Sequence, residues 1–354
     1  MFGLLAKKKD LIGVDIGSSS VKLVQLWQSK GAYRLLNVGI APLPPEAIVD
    51  NSLMDTAAVA DAVRNLVASL GIKTRGAACS ISGNAVIIRK IVVPLMSEDE
   101  LEEQIAWEAE QYIPFDINDV NVDFRILGPD AVDPQKMQVL LVASKKDVIS
   151  DYANVLTEAG CDLVVMDVDV FAVQNAAELN GISLAADEVV AYINIGASVM
   201  NINVVKGEVS LFTRDVQLGG NQYTEELQKQ LGVSLEEAEK IKMLASVSSE
   251  RHVQDIVMRV NDSIAQEVRR SVDFYNSSAA NDDRIARIVA SGGCSKIFGL
   301  MDAVRERLSM AVDLLNPFAA LEYSEKDFDA EYLQEIAPMM AVCVGLAIRR
   351  AGDK

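Results

Sequence analysis

The sequence predicts an α/β protein built from two similar halves, and three observations lead to this prediction. The first is a strand pattern at residues 11–17, where branched apolar residues lead into a glycine that three serines follow. The second is a repeat of this pattern about half a chain later, in residues 188–202. The third is that each copy is followed by two further predicted strands, at residues 21–26 and 33–40 in the first half and at residues 199–205 and 209–216 in the second.

Each copy is predicted to form a tight hairpin whose tip presents backbone N–H groups and hydroxyls to an anion. Gly17 allows close approach of the backbone, and Asp15 adds a carboxylate that can hold a metal ion, usually through water. In the second copy Asn194, Gly196 and Ser198 take the corresponding places. A hydrophilic hairpin turn explains the first tip alone equally well. Because the pattern occurs twice, we expect two tips that face each other across a cleft, with a phosphate chain and its metal ion between them.

The composition is that of a folded protein large enough for two domains. Half of the 354 residues are hydrophobic and 24% are charged. The formal net charge of −18 argues against unspecific binding to nucleic acid or to anionic lipid, since both need an excess of basic residues. We therefore expect no nucleic-acid partner.

The cysteines and the histidine exclude several kinds of site. The four cysteines lack CxxC spacing and are expected to be buried thiols in a reducing cytoplasm. His252 is the one histidine of the sequence, which argues against a histidine-based triad or a multi-histidine metal site.

No stretch reaches the ~18 apolar residues of a membrane span. Residues 1–9 are expected to be an unstructured terminus rather than a signal peptide.

Residues 84–144 are predicted to be a small module inserted into the first half. Their pattern is strand–helix–strand–strand, and they interrupt a unit in which a helix at 145–159 connects parallel strands at 77–81 and 163–168. The helix of the module carries seven acidic and no basic residues between positions 98 and 110. A solvated helix face is the favoured explanation of these acids, and a surface for a basic partner is the alternative.

A helix at residues 169–179 is predicted to join the halves, and the second half is expected to open at Asp187. Further along, a strand ends at a double glycine, Gly292 and Gly293, against which a flat base or ribose can lie; a plain strand-to-helix turn is equally common. The last helix, at 333–350, is predicted to dock on the body of the protein. Three more helices are predicted in the second half, at residues 223–231, 234–242 and 253–276.

Taken together, these patterns resemble the actin-like ATPases, the superfamily that includes actin, Hsp70, sugar kinases, MreB and FtsA. The inserted module is similar to subdomain 1C of FtsA, and within this branch the chain resembles the PilM family of type IV pilus assembly proteins. The resemblance spans nearly the whole sequence. Its most specific segments are GVDIGSSSVK at residues 13–22, EAEQYIPF at 108–115, LGVS at 231–234 and NPF at 316–318.

The resemblance implies an actin-like ATPase fold, with two duplicated ribonuclease-H-like lobes and an FtsA-like 1C subdomain inserted in the first. It also implies a division into subdomains. These would be 1A at residues 1–83 and 145–186, 1C at 84–144, 2A at 187–232 and 286–332, 2B at 233–285, and a C-terminal helix at 333–354 that docks near 1A.

The resemblance further implies that ATP and Mg²⁺ bind between the lobes. The first phosphate loop would consist of Asp15, Gly17, Ser18, Ser19, Ser20 and Lys22, with Asp15 also facing the metal ion. The second would consist of Asn194, Gly196, Ala197 and Ser198, with Gly219 and Gly220 near the phosphates. Glu239 and Lys242 would hold the ribose and base, and the adenosine turn would consist of Ser291, Gly292, Gly293 and Ser295.

Two positions depart from the pattern of many relatives, and both concern hydrolysis. Asn194 stands where an aspartate often orients metal-bound water, so the hydrogen bonding is kept and the charge is lost. Asp169 stands where a glutamate often positions the attacking water, and its side chain is one methylene shorter. Because hydrolysis depends on fine placement of the reacting groups, we expect it to be slow or absent, with these two residues as its candidate catalytic residues.

PilM-like proteins bind the cytoplasmic N-terminal tail of PilN in a groove between subdomains 1A and 1C. The resemblance therefore implies this partner, other proteins of the pilus platform and motor, and a cytoplasmic location at the inner membrane through partners alone. A small-molecule kinase of the same fold is one alternative, with Asp169 as its base. An FtsA-like filament protein is the other, although residues 349–354 offer no amphipathic membrane anchor.

Overall fold

The first lobe contains a five-stranded sheet, a small hairpin and three helices. The computed structural model describes residues 10–130, 132–182, 188–244, 251–280 and 283–353. The expected unstructured terminus at 1–9 and the predicted start of the second half at Asp187 lie outside the described residues. The elements up to the helix that leaves the lobe are β1 (Ile12–Ile16), β2 (Ser20–Ser29), β3 (Ala32–Pro42), β4 (Ile48–Val49), β5 (Ser52–Leu53), α1 (Thr56–Ser69), β6 (Gly76–Ile81), β7 (Val86–Pro94), α2 (Glu98–Glu110), β8 (Val120–Pro129), β9 (Lys136–Lys145), α3 (Lys146–Glu158), β10 (Asp162–Val168) and α4 (Asp169–Leu179).

The module is the segment from β7 to β9, and it has a sheet and a core of its own. Its three strands pair antiparallel in the order β7-β9-β8, and α2 covers one face. Ser97 and Glu100 form a capping box that starts α2. Helix α3 follows β9 and leads the chain from the module back to strand β10 of the first lobe, which pairs parallel with β6.

The second lobe repeats the first. Its strand order, β13-β12-β11-β14-β15, matches the order β3-β2-β1-β6-β10 of the first lobe, with the same antiparallel and parallel pairs. The duplication predicted from the two hairpin patterns is confirmed by this match. The remaining elements are β11 (Val189–Ile195), β12 (Met200–Lys206), β13 (Val209–Val216), α5 (Asn221–Leu231), α6 (Leu235–Met243), α7 (Arg251–Ser278), β14 (Arg287–Ser291), α8 (Leu300–Leu308), β15 (Ala311–Leu314), α9 (Ala330–Ile336) and α10 (Ala341–Ala347).

The two lobes share one hydrophobic core, because α4 and α10 cross between the sheets. A Cβ atom at Gly345 of α10 would overlap the carbonyl oxygen of Ala172 of α4. On the other side of α10, a Cβ atom at Gly13 of β1 would lie 2.7 Å from the backbone nitrogen of Ala347. The two glycines therefore let backbone pack directly on backbone at the centre of the molecule.

The C-terminal segment differs from its prediction as one helix at 333–350. It consists of α9 and α10 with a 3₁₀ turn, Ala337–Met340, between them. The reason is Pro338, whose ring removes a backbone N–H and clashes with the preceding turn of a continuous α-helix. The chain also returns to the first lobe before residue 333, since the backbone of Glu322 bonds to Tyr33 and Leu35 of β3 at 2.9 and 2.8 Å.

The four cysteines are buried and unpaired, as their scattered positions predict.

Candidate functional site

The first lobe brings three polar side chains together at one edge of its sheet. Strands β1, β6 and β10 run parallel, so their carboxyl ends meet at the same edge. Asp15 lies near the end of β1, Ser80 near the end of β6, and Asp169 directly after β10. The Ser80 hydroxyl donates a hydrogen bond of 2.6 Å to the Asp169 carboxylate.

The tip between β1 and β2 is a tight turn stabilised by its own backbone. The Gly17 N–H donates to the Ser20 carbonyl oxygen at 3.1 Å. Beneath the tip, the Lys22 ammonium donates to the Asp15 carboxylate at 3.0 Å, and both side chains are largely buried. Burial alone would lower the pKa of Lys22, but the charge and hydrogen bond of Asp15 outweigh it and raise that pKa. Lys22 therefore stays cationic at the base of the tip.

The tip between β11 and β12 is supported by the residues that lead into α5. The N–H groups of Gly220 and Asn221 donate to the carbonyl oxygens of Gly196 and Ala197, at 3.0 and 2.8 Å. A Cβ atom at Gly219 would lie 2.7 Å from the Ala197 oxygen. Only glycine fits there, because the two turns pack backbone against backbone.

The two tips touch each other across the cleft. The Ser198 hydroxyl of the second tip donates to the Ser18 hydroxyl of the first at 2.8 Å, and the Asn221 amide donates to Ser198 at 3.1 Å. Behind this contact lies a cleft between the two lobes. The structure thus brings together the two predicted tips from the two halves of the chain.

Of the predicted site residues, twelve line this cleft. They are Asp15, Gly17, Ser18, Ser19, Lys22, Asp169, Asn194, Gly196, Ala197, Ser198, Gly292 and Gly293. The others lie in the supporting layer or farther along the second lobe: Ser20, Gly219, Gly220, Glu239, Lys242, Ser291 and Ser295.

Asn194 is held at both ends of its amide. Its oxygen accepts a hydrogen bond from the Ser291 hydroxyl at 3.1 Å, and its nitrogen donates to the Asn201 side-chain oxygen at 3.3 Å. Its counterpart Asp15 is instead paired with a cation. Asp15 and Asn194 therefore occupy equivalent positions in the two lobes but differ in charge.

The double-glycine turn after β14 packs too closely for a side chain at its first position. Gly292 has a φ of +89°, a Cβ atom there would overlap the backbone of Ile195, and its N–H donates to the Pro338 carbonyl at 2.7 Å. A Cβ atom at Gly293 would have only ordinary contacts, 3.5 Å from the Met339 methyl group. The Ser295 hydroxyl donates to the Gly292 oxygen at 2.6 Å and fixes the turn.

Glu239 and Lys242 form an ion pair of 2.6 Å on α6. The Lys242 ammonium also donates to the Thr224 hydroxyl at 3.0 Å and to the Gly220 carbonyl at 3.4 Å. The pair is thereby fixed to the turn that supports the second tip. Sequence reasoning did not identify Thr224, which binds both charged partners.

Burial, together with the charge of Asp15, raises the pKa of Asp169 to about 6. Hydrogen bonds from Ser80 and Ser82 act in the opposite direction. The carboxylate is thus ionised above neutral pH and protonated below about pH 5. A base at this edge of the cleft would work in the ionised form.

Replacing Asp169 with asparagine is expected to flatten part of the pH dependence of stability. Because the folded pKa lies above that of an unfolded aspartate, this group favours folding at low pH, and the benefit is lost as pH rises through about 6. The free energy of unfolding of the variant, measured relative to wild type, should therefore be about 1 kcal/mol higher at pH 7.5 than at pH 5. Urea unfolding at both pH values measures the gain. An unchanged difference would show that Asp169 is not titrating in this range.

The residues of the cleft suit a nucleotide phosphate chain with its metal ion. Glycine tips leave space beside hydroxyls and the Lys22 ammonium, which are donors for phosphate oxygens. Within the described ranges, no group of three or more His, Cys, Asp or Glu side chains could hold a metal ion. Mg²⁺ at Asp15 would therefore take most of its ligands from phosphate and water, as it commonly does.

Sequence reasoning missed several residues that line the cleft. Ser80 and Ser82 had a usable signal, because they lie at the end of a predicted strand parallel to β1, and ligands bind at such strand ends. Asn51 had none, since it reaches the cleft from the tip of the β4–β5 hairpin, where its amide donates to Ser82. The missed residues are Ile16, Ile48, Asn51, Ser80, Ile81, Ser82, Tyr152, Val199, Asn201, Met339 and Val342.

No helix in the part of the chain that the structure describes is both long enough and apolar enough to cross a membrane.

Comparisons with known proteins agree with the fold. The cell division protein FtsA of Bacillus subtilis (strain 168) is 22% identical over 353 residues, which cover 86% of this chain and 78% of FtsA. The ethanolamine utilization protein EutJ of Carboxydothermus hydrogenoformans superposes with a TM-score of 0.58 at 17% identity, over 96% of this chain and 89% of EutJ. MreB5 of Spiroplasma citri, in a structure bound to AMPPNP, has a TM-score of 0.53 at 12% identity, over 95% and 94% of the two chains. The predicted actin-like fold is confirmed.

Two matches are more specific. A solved structure described as the PilM-PilN type IV pilus biogenesis complex superposes with a TM-score of 0.86 at 30% identity, covering 97% of this chain and 98% of the other. Residues 13–351 match the family described as type IV pilus assembly protein PilM. The chain therefore belongs to the PilM family of type IV pilus assembly proteins.

Proposed function

We propose that this protein is a nucleotide-binding scaffold that holds ATP and Mg²⁺ in the cleft and a tail of PilN in a groove beside the module. The observation that carries the nucleotide part is the contact of the two tips, Ser18 with Ser198, over a cleft that contains Lys22 and four glycines. Gly17, Ser18 and Ser19 would hold phosphate oxygens together with Lys22. The bound Mg²⁺ would neutralise phosphate charge, with Asp15 facing it.

The proposed hydrolysis is slow at most. A water-activating base would have to be Asp169, whose carboxylate is already engaged by Ser80. In the second lobe, Asn194 has an uncharged amide whose oxygen and nitrogen are both hydrogen-bonded to neighbouring side chains. Neither side chain is free to reorient toward an attacking water, so the cleft is better suited to binding ATP than to hydrolysing it.

Replacing Gly17 with valine is expected to weaken ATP binding at least 100-fold and to leave the fold intact. A Cβ atom at Gly17 would lie 3.4 Å from the Lys22 ammonium and the Ser20 oxygen, which is ordinary contact, so the turn can accept a side chain. The valine methyl groups would then occupy the space proposed for phosphate. Isothermal titration with ATP and Mg²⁺ measures the affinity, and urea unfolding checks the fold.

The matched control is Ala32→Val, at an exposed position of the same sheet. It should leave both measurements unchanged. Unaltered ATP affinity in the Gly17 variant would remove the first tip from the site.

The groove proposed for PilN lies along β7, one of the two edge strands of the module sheet. An edge strand offers unpaired backbone groups to an extended peptide. One wall of a cavity is lined by Val86, Ile87, Ile88 and Arg89, and Val168 of the first lobe lines another. The match to the PilM-PilN complex supports this partner. A cytoplasmic protein held at the inner membrane by such tails, and by further pilus proteins, is the arrangement we propose.

Replacing Ile88 with aspartate is expected to weaken binding of a synthetic PilN N-terminal peptide at least tenfold. Ile88 is half-buried, lines the groove and does not belong to the core of the module, so the substitution should spare the fold. Fluorescence anisotropy of the labelled peptide gives the affinity. The control is Val92→Asp on the same strand, 43% exposed and outside the groove, which should change affinity less than twofold. Equal loss in both variants would argue against the groove.

A further inference from the structure

Tyr152 of α3 combines a ring buried in the core of the first lobe with a place in the wall of the cleft. The residue is 5% exposed and belongs to a cluster of apolar side chains from β1, β6 and α1. It also lines the cleft between the lobes. Because apolar neighbours enclose the ring, the hydroxyl is the part of the residue that meets the cleft.

This hydroxyl forms no hydrogen bond with any of the residues that the structure describes. Buried hydroxyls normally have a partner. The other buried polar side chains that line the cleft, in the same described ranges, each have one; they are Ser80, Ser82 and Asn201. The Tyr152 hydroxyl is therefore a hydrogen-bonding group that remains available to a ligand in the cleft.

The surroundings of Tyr152 fix the hydroxyl as a donor. Burial raises the pKa of Tyr152 most, and the nearby Cys79, Asp169 and Asp15 raise it further, so the hydroxyl keeps its proton at every physiological pH. Asp15 and Asp169 repel a phosphate group in this part of the cleft. Phosphate oxygens accept hydrogen bonds, and a neutral O–H donor beside the two carboxylates would offset part of that repulsion.

The position of Tyr152 indicates which phosphate it would meet. Gly292 and Gly293, the turn proposed for the adenosine, belong to the second lobe, whereas Tyr152 and Asp169 belong to the first. With the base and ribose against the second lobe, the phosphate farthest from the ribose would be the one that reaches the strand edge at Asp169. Tyr152 lies in the wall of the cleft near that edge.

We propose that the Tyr152 hydroxyl donates a hydrogen bond to the terminal phosphate of ATP, and that this bond makes the cleft favour ATP over ADP. The inference rests on the proposed function and adds to it a residue that determines specificity. The remaining phosphate donors, on the two tips and at Lys22, would serve both nucleotides. Loss of a hydrogen bond to a charged acceptor typically costs about tenfold in affinity.

The experiment compares AMPPNP with ADP, each with Mg²⁺, by isothermal titration of wild type and of Tyr152→Phe. The variant keeps the ring and loses no hydrogen bond of the unliganded protein, so urea unfolding should be unchanged. Its affinity for AMPPNP should fall about tenfold, while its affinity for ADP changes less than twofold. Tyr192→Phe is the matched control, because Tyr192 is also buried with an unbonded hydroxyl but lies in the core between the lobes. It should change neither affinity.

A spectroscopic measurement keeps the inference testable if Tyr152→Phe fails to fold. With 3-fluorotyrosine in place of Tyr152, the fluorine resonance should shift more with AMPPNP and Mg²⁺ than with ADP and Mg²⁺. Equal loss of affinity for both nucleotides, no loss for either, or equal fluorine shifts would overturn the role of Tyr152. Failure of both nucleotides to bind the wild-type protein would contradict the proposed function instead.

Discussion

Replacing Gly345 with alanine is expected to destabilise the protein by about 2–4 kcal/mol, although the same change in an exposed helix stabilises by about 1 kcal/mol. The reason is the crossing of α10 with α4, where the added Cβ atom would overlap the carbonyl oxygen of Ala172. The clash is with backbone, so no side chain can turn aside to relieve it. The helices must separate, and the core that the lobes share must repack with them.

Urea unfolding of the nucleotide-free protein measures this loss. Gln104→Ala, on the exposed face of α2, is the matched control and should change the free energy of unfolding by less than about 0.5 kcal/mol. A Gly345 variant as stable as wild type would show that α10 and α4 can accommodate a Cβ atom at their crossing.

Replacing Asp15 with alanine is expected to cost about 2–4 kcal/mol of stability and to abolish Mg²⁺-dependent ATP binding. Lys22 is largely buried, and the carboxylate of Asp15 offsets the cost of burying its charge. Without that carboxylate, burial would lower the pKa of Lys22, and the folded state would hold either an unpaired cation or a neutral amine. The site would also lose the carboxylate proposed to face the metal ion.

A double variant separates the two effects of Asp15. Asp15→Ala with Lys22→Met removes the unpaired charge and should recover most of the stability in urea unfolding, while titration with ATP and Mg²⁺ should still show no binding. Asp61→Ala, which breaks an exposed ion pair with Arg64, should cost less than about 1 kcal/mol. If the single Asp15 variant is as stable as this control, the Lys22–Asp15 pair does not stabilise the fold.

The sequence predicted both the duplicated sheets and the strand–helix–strand–strand pattern of the module, and the duplication was the strongest signal. The strand, glycine and hydroxyl pattern around Gly17 returns around Gly196, and the two sheets have the same strand order. The spacing of apolar, glycine and hydroxyl residues was enough to predict the two tips, because each tip is formed by residues that are neighbours in sequence. Residues such as Asn51 and Met339 line the same cleft from segments that have no counterpart in the other half, so no repeat could reveal them.

The contact of Gly83 with Asp215 and the broken C-terminal helix show a different limit of sequence reasoning. Gly83 and Asp215 are far apart in the chain, and nothing in either local pattern indicates that the two lobes meet there. Pro338 did carry a signal, because proline disfavours a helix interior, but the apolar spacing of the residues that follow it favoured one continuous helix. Pro338 breaks the helix, and its carbonyl oxygen accepts a hydrogen bond from the Gly292 N–H.

The direct backbone contact of α4 with α10 also restricts how the halves of this protein can rearrange. Where side chains interdigitate, packed helices can slide past each other by small rotamer adjustments. At Gly345 and Ala172 no side chain lies between the two backbones, so translation has nothing to absorb it. A rearrangement of the halves would therefore have to be a rotation about this crossing, with small displacements near Gly345 and larger ones at the tips around Gly17 and Gly196.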